Sequence, residues 1–222
     1  VPGWKKSQEL IKKYKNIYIE YGKTKNGDII NFDNYNYCYN KYKNSMDIIT
    51  ADGGFDFSID FNEQECISSK LIFSETIYAI SLQKKGGTFI LKLFDVFTSF
   101  SNDIIYLLTS LYDNVNIYKP YTSRVANSER YLICTNFKYE NSDFFHNLFK
   151  DVFLEINKYK YIEKIFDFDT PLYFKLKLEE INSIIGLQQI ESLQLTISLI
   201  KNKNRNNKLE NLKTKNIKKC IK

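Results

Sequence analysis

The pattern that most constrains the fold is a repeated alternation of short β-rich runs and longer helical stretches over the first 136 residues. It predicts an α/β domain with a mostly parallel sheet covered by helices, because parallel strands need helical crossovers. Five runs are apolar, β-branched or aromatic enough to be strands. They are residues 16–21, 46–51, 88–94, 115–119 and 129–136.

The intervals between the later runs have helical periodicity. Helices are predicted over residues 34–43, 63–83 and 101–111. Gly86-Gly87 is predicted to close the second helix as a left-handed cap. The mostly apolar run 46–51 is predicted to be buried on both faces. The loop at 120–128 is too short for a helical crossover, so the last strand is predicted to pair antiparallel.

Beyond residue 138 the alternation gives way to helices alone. A helix is predicted over 143–158, and another over 178–200 carries an apolar stripe typical of a helix packed on its domain or on a partner. The Asn- and Lys-rich end is predicted to be disordered. We therefore expect an α/β domain at 1–138, a helical extension at 139–200 and a basic tail at 201–222.

The formal net charge of +6 comes from the two ends of the chain. Residues 1–25 sum to +5 and residues 201–222 to +8, so residues 26–200 sum to −7. This distribution argues against a uniformly basic nucleic-acid-binding surface, but it is compatible with a local basic groove.

Cysteine and histidine content excludes several kinds of site. The 4 cysteines form no CxxC pair and His146 is the only histidine, which excludes two-histidine sites and argues against a zinc cluster or disulfide scaffold. No metal is therefore expected, and His146 is expected to be a packed residue. We expect reduced thiols in an intracellular compartment. No run approaches the ~18 apolar residues of a membrane span.

Three charged residues are predicted to meet at one rim of the sheet. Asp52 follows the second strand, Lys92 lies near the end of the third, and Glu129 begins the antiparallel strand, which starts where its neighbours finish. Ligands of open parallel sheets bind beyond these strand ends. A lysine inside an apolar strand needs anionic partners, and Asp52 and Glu129 are the natural ones.

Two interpretations of this carboxylate–lysine–carboxylate cluster are open. It can orient a hydroxyl and help to remove its proton while the oxygen attacks an activated electrophile, such as a methyl group on a sulfonium. It can equally be a structural ion cluster, and the three residues alone do not decide between these.

Three linked motifs resemble those of a known family. They are ADGGF at 51–55, GGTFILKLFDVFT at 86–98 and KPYTSRVANSERY at 119–131. In this order and spacing they resemble the FtsJ-type RNA 2′-O-methyltransferases, specifically the cap-specific mRNA branch of eukaryotes and large DNA viruses. The ribosomal branch typically has a Ser-Asp-Met-Ala-Pro run in place of ADGGF.

The resemblance implies a Rossmann-like methyltransferase fold with a Lys-Asp-Lys-Glu tetrad, whose last three members match Asp52, Lys92 and Glu129. It implies that Lys92 sits by the ribose 2′-hydroxyl as base or orienting group, held by the two carboxylates. It also implies S-adenosylmethionine as methyl donor, bordered by Asp52, with Asp28 near its adenine. A turn aspartate beside Gly27 is the open alternative for Asp28.

Basic residues near this rim are candidates for RNA contact. Lys119, Ser123 and Arg124 lie in the loop bordering the site, although such a loop also serves as a hairpin cap. The basic tail is a further candidate for salt-dependent attraction to RNA, with a solvated end as the alternative. The helix at 178–200 is a candidate surface for a protein partner.

The chain departs from the family at its amino end. The family's glycine-rich donor loop and first tetrad lysine precede the segment that resembles residues 1–6, so we expect a sheet without its first strands and a chain that is inactive alone. The leading hypothesis is methyl transfer to capped mRNA. The alternatives are a non-catalytic RNA- or partner-binding relative and a ribosomal or transfer RNA 2′-O-methyltransferase.

Overall fold

The computed structural model describes residues 7–54, 63–201 and 206–221. Within them a four-stranded sheet has the order β1-β2-β4-β3. Its strands are β1 (Met46–Ala51), β2 (Gln83–Leu93), β3 (Tyr112–Tyr118) and β4 (Arg130–Phe137). β1 and β2 are parallel, and β4 is antiparallel to both β2 and β3. The predicted mixed α/β fold with an antiparallel last strand is confirmed.

Seven α-helices surround or follow these strands in the described residues. They are α1 (Gln8–Lys13), α2 (Phe32–Tyr42), α3 (Gln64–Leu82), α4 (Ser99–Leu111), α5 (Asp143–Glu155), α6 (Leu172–Lys201) and α7 (Asn206–Ile221). A short 3-10 turn, Ile156–Lys158, extends α5. His146 on α5 stacks on Tyr39 of α2 with ring centroids 3.8 Å apart, which confirms that it is a packed residue.

The two faces of the sheet differ in burial. Phe89, Leu91 and Leu132 are 0% exposed in the hydrophobic core. They lie against α3 and α4, which contact each other and therefore share that face. The alternate residues Ile90 and Ile133 point to the opposite face and are only partly buried. Helical cover is thus concentrated on one side of the sheet, and Lys92 belongs to the more open side.

Residues 16–21 do not form the strand that their composition predicts. They run as irregular chain beside β1, with Tyr18 63% exposed. Among the described strands β1 pairs only with β2, and its outer edge forms no ladder with residues 16–21. A β-rich composition alone does not make a strand, because strand formation also requires pairing with a neighbour.

β1 is an edge strand, and the prediction that both its faces are buried is wrong. Ile48 is 67% exposed, and Asp47 forms an exposed ion pair with Lys84 of β2. An apolar run shows which residues prefer burial but does not show whether a neighbouring strand is present to cover them.

The predicted glycine cap of α3 is also wrong. The helix ends at Leu82, and Gln83 already has the extended backbone of β2. Gly86 has φ of 80°, close to the register shift between β1 and β2. A Cβ on Gly87 would lie 2.5 Å from the Gln83 Cγ. The glycine pair therefore permits a bulge inside the strand.

The carboxyl-terminal part is more helical than its composition predicts. α6 spans 30 residues, and α7 covers most of the segment for which disorder is predicted. Lys213 and Glu210 pair at 2.8 Å one turn apart on α7, which favours a helix. Of the helices that the structure describes, none combines the length and apolarity that crossing a membrane requires.

A buried arginine fastens α6 to the α/β domain. Arg130, at the start of β4, is 2% exposed and donates from Nη1 to the Asn182 Oδ1 at 2.6 Å. Asn182 Nδ2 in turn donates to the carbonyl oxygen of Val96 at 3.1 Å. Leu178, one turn earlier on α6, joins the hydrophobic core. The first part of the predicted stripe, at Leu178 and Ile185, thus packs on the chain's own domain. The rest of the stripe, at Ile190, Leu193, Ile197 and Ile200, is exposed.

We expect Asn182→Ala to lower the free energy of unfolding by about 1–3 kcal/mol, because it leaves a buried guanidinium N–H and the Val96 carbonyl without partners. The measurement is urea unfolding of the variant beside Ser183→Ala, a change at an exposed neighbour on the same helix. Equal unfolding midpoints for the two variants would show that the Arg130–Asn182 contact does not stabilise the fold.

Candidate active site

The predicted contact between Lys92 and Asp52 is formed. The Lys92 Nζ lies 2.6 Å from the Asp52 Oδ1. The parallel register pairs Ala51 with Leu91, so the next residue of each strand emerges at the same edge. The Lys92 side chain is 21% exposed, and its Nζ lies 5.2 Å from the centroid of the Phe94 ring. The ammonium is therefore held in place yet accessible from the open face of the sheet.

Glu129 lies at the same rim but forms no ion pair with Lys92. Its Oε1 accepts a hydrogen bond from the Tyr131 hydroxyl at 3.0 Å, and Tyr131 stands directly opposite Lys92 in the β2–β4 register. Glu129 precedes Tyr131 by two residues and is thus a diagonal neighbour of Lys92, which lengthens the distance between them. The prediction that both carboxylates hold Lys92 is therefore correct for Asp52 only.

Tyr131 is a site residue to which the sequence motifs assign no role. Burial first, and then the Glu129 carboxylate, raise its pKa to about 12. The phenol therefore keeps its proton near neutral pH and donates a hydrogen bond to Glu129. The only sequence signal for Tyr131 was its place in the NSERY motif, because the cross-strand register with Lys92 is a property of the sheet.

Glu75 on α3 is a second residue that sequence analysis missed. It is 6% exposed, and its Oε1 accepts a hydrogen bond from the Gly53 backbone N–H at 2.7 Å. A Cβ on Gly53 would lie 2.5 Å from this oxygen, so only glycine allows the close approach. Burial raises the pKa of Glu75 to about 7, opposed in part by the Gly53 hydrogen bond. A lone carboxylate within the apolar run 71–80 was the available signal.

A cavity of about 590 Å³ opens between β1, the chain at 18–29, α2 and α3. Its walls include both predicted donor-binding residues, Asp28 and Asp52, together with Glu20 and Glu75. S-adenosylmethionine is cationic at its sulfonium and amino groups, so a carboxylate-lined cavity of this size suits it. A larger hollow of about 780 Å³, lined by residues 151–164, contains none of the predicted site residues.

All four of these carboxylates bond within the protein, Asp52 to Lys92 and Glu75 to the Gly53 N–H as described above. Glu20 accepts hydrogen bonds from Lys41 at 2.8 Å and Tyr42 at 2.7 Å, which lower its pKa to about 2. The Asp28 Oδ1 accepts from the Ile30 backbone N–H at 3.0 Å. Asp28 thus makes a turn and also lines the cavity, so the two sequence interpretations of this residue are compatible.

Residues 119–129, here called the rim loop, contain the predicted RNA-binding residues. The Lys119 Nζ donates to the carbonyl oxygens of Asn127 and Glu129, both at 2.7 Å, and to the Asn127 Oδ1 at 3.0 Å. These bonds use all the ammonium protons, and burial lowers the Lys119 pKa. The geometry therefore does not support RNA contact by Lys119, which instead ties the loop together.

The other two loop residues differ in accessibility. Ser123 is partly buried, with its Oγ 3.4 Å from the Asn127 Oδ1. Arg124 is exposed, and its guanidinium bonds to no other described residue. Arg124 is thus the basic side chain of the rim loop that remains available to a phosphate.

These features define the class of the protein. Rossmann-like α/β domains bind their ligands beyond the carboxyl ends of the parallel strands, which is where this chain has the Lys92–Asp52 pair and the carboxylate-lined cavity. The chain belongs to the FtsJ-like methyltransferase family, whose family model matches residues 4–137. Membership of a methyltransferase family implies the use of S-adenosylmethionine.

Curated relatives come from the cap-specific branch. A Trypanosoma brucei brucei protein named "Cap-specific mRNA (nucleoside-2′-O-)-methyltransferase 1" is 31% identical over 188 residues, covering 82% of this chain and 51% of the relative. A Leishmania braziliensis protein of the same name is 43% identical over 121 residues, covering 53% of this chain and 30% of the relative.

A third relative, from Caenorhabditis briggsae, is named "Inactive cap-specific mRNA (nucleoside-2′-O-)-methyltransferase 1B". It is 35% identical over 125 residues, covering 54% of this chain and 15% of the relative. The chain spans about half the length of the first of these relatives and less of the other two.

We expect Glu75→Gln to change how stability depends on pH. Burial raises the pKa of Glu75 to about 7 in the folded chain, whereas in the unfolded chain its pKa has the ordinary value of 4.5. Wild-type stability therefore falls as pH rises through this window, by roughly 3 kcal/mol in total. Glutamine cannot ionise, and its carbonyl oxygen still accepts from Gly53, so the variant should exceed the wild type in stability at pH 8.

The measurement is urea unfolding of both proteins at pH 4.5 and pH 8, with the exposed Glu179→Gln on α6 as control. The advantage of Glu75→Gln should disappear at the lower pH. A difference between variant and wild type that is the same at both pH values would contradict the raised pKa of Glu75.

Proposed function

We propose that this protein transfers a methyl group from S-adenosylmethionine to a ribose 2′-hydroxyl of RNA at the capped 5′ end of mRNA. The observation that carries the proposal is the 2.6 Å contact between Lys92 and Asp52 beside the cavity lined by Asp28 and Asp52. Family membership supports methyl transfer, and the names of the relatives support the capped substrate. Such a protein acts in the intracellular compartment where mRNA is capped.

Methyl transfer requires a ribose oxygen to attack the methyl carbon in line with the bond that breaks. S-adenosylmethionine, when bound, supplies a methyl group already activated by its positively charged sulfur. The chain's own task is therefore to place the hydroxyl and to manage its proton. Lys92 is the residue for this task, because its Nζ is held at the strand end and faces the open side of the sheet.

The Lys92 Nζ donates a hydrogen bond to the Asp52 Oδ1 at 2.6 Å and thus acts as a donor at this site. An ammonium donates a hydrogen bond and so orients the 2′-oxygen, whereas a neutral amine would accept the hydroxyl proton. The geometry thus favours orientation of the hydroxyl as the main role of Lys92. Glu129 supports this arrangement indirectly, by fixing the Tyr131 ring beside Lys92.

A non-catalytic RNA- or partner-binding role is the second candidate. The observation that favours it is the similarity to the C. briggsae relative named as inactive. A third candidate keeps the chemistry but changes the substrate to ribosomal or transfer RNA. Comparing transfer to capped and uncapped transcripts separates that substrate class from capped mRNA.

We expect Lys92→Met to lower the rate of methyl transfer to capped RNA by roughly 10²-fold or more, because the reacting hydroxyl loses its orienting group. Affinity for the donor, measured by calorimetry with S-adenosylhomocysteine, should stay within about twofold, since Lys92 is not among the residues lining the cavity. The matched control is Lys84→Met, an exposed lysine near the other end of β2.

Wild-type transfer rates in Lys92→Met would show that the active site has been assigned wrongly. Tight binding of capped RNA by the wild-type protein without any methyl transfer would favour the non-catalytic candidate. Both measurements use the longest natural chain that contains these residues.

We expect Arg124→Gln to weaken RNA binding by removing one phosphate contact. The loss should shrink as salt rises, and the slope of log K against log salt should fall in magnitude by about 1. The measurement is a salt titration of RNA affinity beside Lys150→Gln, a change at an exposed residue on α5. An identical salt slope in Arg124→Gln and wild type would remove Arg124 from the RNA interface.

A further inference from the structure

One stripe of α6 faces the α/β domain and alternates between apolar residues and amides. Leu178 and Ile185 are the buried residues of this helix. Asn182 and Gln189 lie on the same stripe, because residues spaced by three or four share a helix face. Each amide bonds to the α/β domain rather than to α6 itself. The stripe therefore makes directed contacts in addition to apolar packing.

The second amide reaches the rim loop. The Gln189 Nε2 donates to the carbonyl oxygen of Ala126 at 3.1 Å. Ala126 lies between the exposed Arg124 and Glu129, so this bond holds the middle of the loop segment that carries both proposed site residues. Lys119 bonds only within the loop itself. The Cys220 Sγ on α7 lies 3.7 Å from the Tyr121 carbonyl oxygen, nearer the start of the loop. Gln189 connects the middle of the loop to α6.

The helix that makes this contact is itself hydrogen-bonded to the α/β domain through Asn182. Asn182 is held between the Arg130 guanidinium and the Val96 carbonyl, two turns before Gln189. Arg130 directly follows Glu129 and is 2% exposed. α6 therefore holds the rim loop from both sides, at Ala126 through Gln189 and at its β4 end through Arg130. A loop restrained at both points loses less conformational freedom when it binds a ligand.

We infer that α6 is a brace for the rim loop and that Gln189 is a positioning residue for RNA binding. By tying Ala126 to a helix anchored in the core, it holds Arg124 and Glu129 in the arrangement that meets the substrate. This inference rests on the proposed function and gives the helical extension a role in it.

The variant that tests the brace is Gln189→Met. Methionine has nearly the length and helix propensity of glutamine but lacks the N–H donor. Gln188→Met is the matched control, because Gln188 is exposed on the same helix and its side chain forms no hydrogen bond to a described residue. Both variants keep the net charge, so electrostatic attraction to RNA is unchanged.

The first readout is hydrogen exchange, which needs no activity. Amides of the rim loop should exchange roughly 3- to 10-fold faster in Gln189→Met than in Gln188→Met, because local opening becomes easier, while amides of β2 and β4 keep the wild-type rate. Equal exchange rates for the rim-loop amides in the two variants would overturn the inference that α6 holds the loop through Gln189.

The second readout is binding and turnover with a short capped RNA. Gln189→Met should raise the Kd and the KM for this RNA roughly 3- to 10-fold, with kcat at saturating RNA and the affinity for S-adenosylhomocysteine within about twofold of wild type. If Gln189→Met binds RNA less tightly while its rim-loop amides exchange at the control rate, Gln189 contacts the RNA directly. That result would also overturn the inference that α6 holds the loop.

The two proposals fail in distinguishable ways. Wild-type protein that neither binds nor methylates capped RNA overturns the proposed function and with it the RNA role of α6, whatever the exchange data show. Active wild-type protein with identical RNA affinity in Gln189→Met and Gln188→Met overturns the positioning role of Gln189 alone.

Discussion

The parallel pairing of β1 with β2 is the constraint on which the rest of the site depends. Because Ala51 and Leu91 are partners in that register, the residues after them emerge side by side. The Asp52 carboxylate and the Lys92 ammonium then meet at the strand ends. The crossover helix α3 follows from the same pairing, and it brings Glu75 under the turn after β1, where it binds the Gly53 N–H.

Buried polar groups connect the parts of this protein that lie far apart in sequence. Glu75 and Arg130 are almost fully buried, and each is hydrogen-bonded across elements. An unpaired polar group in such a place would be costly, so these contacts restrict how the helices are placed on the sheet. The hydrogen bond between Arg130 and Asn182 extends this network of buried polar contacts from the active-site rim to the helical extension.

The sequence predicted β1 to the residue and the antiparallel β4 correctly, because an apolar run and a short connection are local signals. It failed for residues 16–21, whose strand-like composition is not accompanied by pairing with the adjacent edge of β1. It also failed for the Glu129–Lys92 contact, since strand order alone does not separate a direct cross-strand neighbour from a diagonal one. The contact between Asp52 and Lys92 was therefore predictable, but the hydrogen-bond partners of Glu129 and Lys119 were not.

The sequence by itself determined the order of β1 to β4 and of α2 to α6, the family and the Asp52–Lys92 pair, because local periodicity and linked motifs are written along the chain. Only the tertiary structure decided that Glu75 lies at the site and that Lys119 makes all its hydrogen bonds inside the rim loop. It also decided that α6 contacts that loop through Gln189. The physical reason is that each of these is a hydrogen bond whose partner is selected by packing and register, which no stretch of sequence specifies alone.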